Sequence, residues 1–216
     1  MPIENIKTID FPNIGIIKGH IDDTSLASLK TEILEIQEDF SKGVQHNKAL
    51  AGHIRKQYLL FKSCSSMEPL LIDLAEKCYH KYHYSDPNIP IVDGVQYSFK
   101  LDSMWVNFQQ KHEFNPIHRH GGAYSFVIWL EVPYFLNFEK EVSPGKNSID
   151  NRTGMFEFNY LDVLGQLRGE CIPVDKTYEG DIILFPAALH HSVHPFYSTD
   201  KYRISVSGNI TVVKND

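Results

Sequence analysis

At 216 residues, with 42% apolar and 22% charged residues, the chain is long enough to bury a full core and short enough to form one domain. A formal charge of -6, from 27 acidic against 21 basic residues, denies it the positive excess by which a surface captures nucleic acid through counterion release. The three cysteines, Cys64, Cys78 and Cys171, are widely spaced with no C-x-x-C pair, which points away from a disulfide framework or a thiolate zinc site and toward buried thiols in a reducing compartment.

Residues 1–11 carry Glu4, Lys7 and Asp10 and no long apolar run, so no signal peptide is expected. No later stretch is apolar enough to span a bilayer, and the expectation is a soluble, cytoplasmic protein without a membrane partner. An extended piece is expected around residues 15–21. From Thr24 to Phe40, Leu26, Leu29, Ile33, Ile36 and Phe40 recur at helical spacing, with Asp22, Asp23 and Thr24 available as caps, which predicts an amphipathic helix. A second helix is predicted from near Ser66, with Pro69 in its first turn, through Leu71, Leu74, Ala75, Cys78 and Tyr82.

From Val92 onward, short runs of Val, Ile, Phe, Tyr and Trp alternate with Gly, Pro, Asn and Asp, the signature of a sandwich or barrel. Strands are predicted at 96–109, 115–120, 124–132, 135–139, 155–159, 166–172, 181–185, 190–196 and 202–212. Antiparallel strands behind two helices predict a mainly β chain, a double-stranded β-helix (jelly roll) with N-terminal helices packed on one sheet. Residues 1–216 read as a single domain, with 1–90 a helical support layer and 91–216 the jelly-roll core, and 139–154 is the best candidate for a mobile loop.

Of eleven histidines, the informative ones fall in two places: His118-Arg119-His120, and His190-His191-Ser192-Val193-His194 about seventy residues later. In an extended strand, His118 and His120 share a face and can hold one ion as neighbouring ligands. The second group follows Glu179-Gly180-Asp181-Ile182-Ile183-Leu184-Phe185-Pro186, an acidic turn and a buried strand ended by proline, which sets His191 at the start of the next strand. Three imidazoles leave coordination positions open, as a reactive site requires, and would suit iron, copper, nickel or zinc. His190 should face away from His191, and His194 lies one pleat too far along. His20, His46, His53, His80, His83 and His112 read as ordinary surface or core histidines.

Trp105-Val106-Asn107, Phe114-Asn115-Pro116-Ile117-His118-Arg119-His120, Ser125 to Leu130, Gly180 to Pro186, His191 to Pro195 and Arg203 to Asn209 together resemble the Fe(II)/2-oxoglutarate oxygenase superfamily. The resemblance covers about residues 105–210 and is strongest to the small bacterial and phage-type branch related to prolyl hydroxylases. It implies Fe(II) as the metal and 2-oxoglutarate as co-substrate. His118 corresponds to the proximal ligand, His191 to the distal ligand, and Arg203 with Ser205 to the anchor of the far carboxylate. A planar guanidinium suits a carboxylate, and the hydroxyl two residues on shares its face. The plainer reading of Arg203 is an ion pair with Asp200 or Glu179.

The sequence departs from the family at His120, where most members carry Asp or Glu; either three imidazoles hold the iron or water completes the set. Asn107 corresponds to an amide near the co-substrate, or else makes a cross-strand hydrogen bond. Tyr124 reaches 2-oxoglutarate or simply packs. The implied reaction is hydroxylation of a small-molecule or peptide substrate by O2, with release of succinate and CO2. Two other readings stand beside it: a three-histidine cupin-type dioxygenase that does not use 2-oxoglutarate, and a non-catalytic jelly-roll binding module.

Overall fold

Alternation along the long strands sorts the apolar side chains into two sets, and the fold buries each against a different partner. The computed structural model describes residues 15–82 and 96–215, so the readings of residues 1–11, of His83 and of the first strand residues after Val92 lie outside the described residues. In chain order the elements are β1 (Ile17–His20), α1 (Asp23–Glu38), β2 (Val44–Gln45), β3 (Gln57–Leu59), α2 (Cys64–Tyr82), β4 (Tyr97–Gln109), β5 (Asn115–His118), β6 (Tyr124–Glu131), α3 (Leu136–Val142), β7 (Phe156–Leu161), β8 (Leu167–Ile172), β9 (Asp181–Pro186), β10 (His190–Val193) and β11 (Arg203–Lys214). They build a seven-stranded sheet, ordered β1-β9-β6-β11-β4-β3-β2, and a four-stranded sheet, ordered β5-β10-β7-β8. Every named pairing is antiparallel, and the chain is mainly β with the two long helices on one sheet.

The larger sheet divides the interior. Met104, Val106 and Phe108 of β4, Ile128 and Leu130 of β6, Ile182 and Leu184 of β9, and Ile204, Val206 and Ile210 of β11 pack against Leu26, Leu29 and Ile33 of α1 and Met67, Leu71 and Ala75 of α2. The intervening residues face the smaller sheet, where Val127, Trp129, Ile183 and Phe185 meet Phe156 and Phe158 of β7. Period-two alternation on the strands and 3.6-residue periodicity on the helices thus specify one layered arrangement.

Both predicted helices are present, with shifted ends. The Asp22 side chain accepts from Ser25 N and caps α1, which stops at Glu38, so that Phe40 opens a 3-10 turn instead. Helix α2 starts at Cys64, which puts Pro69 in the second turn. Glu32 of α1, 5% exposed, holds that start in place by accepting from Phe61 N, Lys62 N, Ser63 N and Ser63 Oγ. Residues before α2 also supply β1, β2 and β3 to the larger sheet, so the N-terminal part is more than a helical support layer.

The predicted strand at 135–139 is instead the start of α3. A short aromatic run cannot be told from a helix by periodicity alone. Tertiary contacts decide it: Asp175 Oδ2 accepts from Leu136 N at 3.3 Å, and the buried Glu139 carboxylate takes the backbone N–H groups of Tyr197 and Ser198. The segment 139–154 therefore begins in a helix and continues through hydrogen-bonded turns, with Asn151 Nδ2 bonded to Ser143 Oγ at 3.0 Å and Ser148 N to Gly145 O at 2.8 Å.

Candidate metal centre and cavity

Sheet register brings the two histidine groups together. His118, the last residue of β5, is the cross-strand partner of His191 on β10, and His120 follows with its backbone N–H bonded to Ala187 O at 2.9 Å. The ligand atoms of His118, His120 and His191 lie within 4.8 Å of one another. Ring centroids are 4.3 Å apart for His118 and His191, 5.0 Å for His118 and His120, and 5.1 Å for His120 and His191. His118 Nδ1 bonds Pro116 O at 2.7 Å and His191 Nδ1 bonds Leu189 O at 3.0 Å. A backbone carbonyl only accepts, so Nδ1 carries the proton in both rings and each Nε2 presents its lone pair.

Burial keeps the three rings neutral. Desolvation, followed by the neighbouring His118, pushes His120 down to about 4; desolvation also lowers His118 and takes His191 well below its ordinary value. His191 is 3% exposed and stacks on Phe156 at 5.4 Å. Neutral, converging imidazole nitrogens fit a ferrous ion. His190 is exposed and His194 Nε2 bonds Glu157 Oε2 at 2.7 Å, so neither joins the cluster.

The histidines open onto a narrow cleft between the sheets, which is also lined by Trp105, Asn107, Gln109, Arg203, Ser205 and Ser207. Arg203 is 2% exposed. Its nitrogens bond Gln109 Oε1 at 2.6 and 3.2 Å, Tyr134 Oη at 2.5 Å, Gly154 O at 2.6 Å and His194 O at 3.2 Å. All these acceptors are neutral, and among the described residues no carboxylate pairs with Arg203. Asp200 pairs with Lys111 instead, and Glu179 accepts from Val132 N. A buried guanidinium without a counter-ion, facing a cavity, fits the carboxylate of a ligand.

Asn107 lies in the cleft, 5% exposed, and also makes the cross-strand contact: its Nδ2 is 3.3 Å from Ser205 Oγ. Tyr124 does not reach the cleft. It has the parity of Ile128 on β6 and is fully buried on the helix side against Phe99. Packing is its role, and the expectation that it binds co-substrate is corrected. Gln109 and Tyr134, which hold the guanidinium, carried no sequence signal beyond the parity of Gln109 with Asn107 on β4.

A family model described as "Putative 2OG-Fe(II) oxygenase" matches residues 103–209, which span β4 through β11 and all three histidines. No curated protein matches the chain. Among solved structures, a Pseudomonas putida prolyl-4-hydroxylase is similar at 13% identity and TM-score 0.51, over 90% of this chain and 91% of that one. AviO1 from Streptomyces viridochromogenes Tue57 is similar at 12% identity and TM-score 0.52, over 94% and 90%. EvdMO1 reaches TM-score 0.54 at 14% identity, over 91% of this chain and 47% of its own. Those identities speak for the fold, and the family match covers the strands that carry the site. The chain belongs to the Fe(II)/2-oxoglutarate-dependent oxygenase superfamily and is an enzyme of that kind, with Fe(II) as its metal and 2-oxoglutarate as its co-substrate.

Proposed function

We propose that the protein hydroxylates a small-molecule or peptide substrate, consuming O2 and 2-oxoglutarate and releasing succinate and CO2. In this reading His118, His120 and His191 hold Fe(II), while Arg203, with Ser205 and Asn107, holds the far carboxylate of 2-oxoglutarate. The observation that carries it is Arg203, a buried cation with only neutral partners, in the same cleft as three neutral imidazoles. The iron supplies oxygen activation when bound. The protein orients: backbone carbonyls fix the tautomers of His118 and His191, Gln109 and Tyr134 fix the guanidinium plane, and Trp105, Trp129 and Phe156 exclude water from the cleft floor. The three free thiols support a reducing, cytoplasmic setting.

Anaerobic titration of the metal-free protein with Fe(II) and then 2-oxoglutarate tests this reading through the visible charge-transfer band of the chelate. A band in the parent that needs at least roughly tenfold more 2-oxoglutarate in Arg203→Ala is the expected result, since charge-assisted hydrogen bonds are worth about 1.5–3 kcal/mol each. Iron bound without any band would overturn the 2-oxoglutarate role and leave a three-histidine dioxygenase of the cupin kind.

A further inference from the structure

A row of amides crosses the inner face of the larger sheet. Gln57, Asn107 and Ser205 are register neighbours on β3, β4 and β11. Asn47 Nδ2 donates to Ile54 O at 2.6 Å and to Gln57 Oε1 at 3.3 Å. Gln57 Nε2 donates to Asn107 Oδ1 at 2.8 Å. Asn107 Nδ2 then faces Ser207 Oγ at 3.2 Å, Ser205 Oγ at 3.3 Å and Ser205 O at 3.4 Å. A backbone carbonyl can only accept, so Ile54 O requires Nδ2 of Asn47 to face it. At the far end the Ser205 O contact is the longest of three that two N–H protons share, so the firm hold on the Asn107 amide is the 2.8 Å bond from Gln57, which is 1% exposed.

The consequence falls on the serines. Each hydroxyl accepts from Asn107, and among the described residues neither proton has a protein acceptor, so both are available to a ligand in the cleft. Ser207 is the register partner of Trp105, whose ring lies 5.7 Å from that of His120, and both line the cleft of the histidines. Ser205 stands midway between Ser207 and Arg203, with steps of roughly 7 Å along the strand. Ser205 and Ser207 thus offer two hydroxyl donors along the strand that leads from the cationic Arg203, whose own N–H groups have neutral protein acceptors, toward the histidine cluster.

We infer that Gln57 is a positioning residue for the co-substrate. It locks the Asn107 amide so that Ser205 and Ser207 turn their protons into the cleft, which favours a ligand bearing acceptors at both ends, a dicarboxylate, over one that presents donors. The inference rests on the 2-oxoglutarate reading above. It extends the site to Gln57, Ser207 and Asn47, the last on the segment 46–56 that runs past the cleft and contributes Leu50, Ala51 and Gly52 to its lining.

The test is the 2-oxoglutarate dissociation constant of the Fe(II)-loaded protein under anaerobic conditions, from the charge-transfer band and from ligand-induced thermal shift. The variants are Gln57→Met, Gln57→Glu, the pair Ser205→Ala with Ser207→Ala, the triple combination with Gln57→Met, and Arg203→Ala. Gln57→Met should weaken 2-oxoglutarate about tenfold, as expected when hydrogen bonds to a charged group lose their fixed direction, and leave Fe(II) affinity unchanged. It should have no further effect in the serine pair, because its action passes through those hydroxyls. Gln57→Glu, the same size and acceptor-only when ionised, should weaken 2-oxoglutarate as well at pH values where its carboxyl is ionised, and it carries the test if Gln57→Met does not fold. An unchanged constant in the folded Gln57 variants, or a full additive loss on top of the serine pair, would sink the inference. Arg203→Ala separates the two failures: if it weakens 2-oxoglutarate while Gln57 variants do not, the function stands and only the relay is wrong.

Discussion

His120 occupies the position that the family usually fills with a carboxylate, and the difference is one unit of charge at the metal. With the all-imidazole set of the proposed function the Fe(II) site would be more positive and ask more of the anionic co-substrate, which makes the uncompensated charge of Arg203 in the same cleft the more consequential. Removing the ring by His120→Ala should lower Fe(II) affinity by tenfold or more, on the order of what even supporting residues of metal sites contribute; equilibrium dialysis of the variant decides it. The depressed histidines also set a pH dependence. In the unfolded chain each titrates near its ordinary value of about 6.5. In the fold they stay neutral, with His120 held to about 4, mainly by burial. Between those values the unfolded chain binds protons that the folded one refuses, so stability is full above about 6.5 and falls as pH drops toward 4. The melting temperature of the metal-free protein should decline across that window, and less steeply in His120→Gln.

At the scale of elements, two joints hold the layers, and each depends on one residue. Glu32 satisfies the backbone at the start of α2 with its carboxylate. Desolvation works against that charge, but the hydrogen bonds from Ser63, Phe61 and Lys62 prevail and hold the group below its ordinary value. Glu32→Ala would orphan buried N–H groups and should cost about 2–3 kcal/mol, read in urea unfolding, with Fe(II) affinity unchanged. Gly208 lies where β11 passes between β4 and β6. A Cβ there would stand 2.5 Å from both Ser103 O and Phe126 Cζ. Because one of those atoms is backbone, Gly208→Ala must push the strands apart, and a loss of about 1–3 kcal/mol is expected. Helix α3 shows the limit of local reading. Phe135 at its N-cap and Phe138 within it are exposed while Glu139 is buried, the reverse of what composition suggests, because the Glu139 carboxylate serves the backbone at Tyr197 and Ser198.

For the whole molecule, the fold places His118 and His191 on the smaller sheet and Arg203 on the larger one, so a ligand that bridges them, as in the proposed function, would tie the two sheets together. Saturating Fe(II) with 2-oxoglutarate at a hundred times its dissociation constant should add about 2.7 kcal/mol, raising the melting temperature by roughly 5–10 °C for a chain of this size, and a chelator should reverse the gain. Much of the proposed site's grouping was legible beforehand because its elements are local: H-x-H at the end of one strand, His191 after a proline-terminated strand, and Arg203 two residues before Ser205 need only the period of a strand, and the structure brings them to one cleft. The fold class followed from the same alternation. Tyr124 was misassigned because period two says which residues share a face without saying which face meets the cavity; its parity with Ile128 commits it to the helices. Gln57, Gln109 and Tyr134 carried no signal because their roles rest on partners 50, 94 and 69 residues away. By itself the sequence determined the strand alternation, the two long helices and the histidines that cluster, since steric periodicity is a short-range property of the chain. Only the tertiary structure decided which face became the cleft, that α3 was a helix, and that Arg203 lies buried without a counter-ion, because each of these depends on register and packing between segments far apart in sequence.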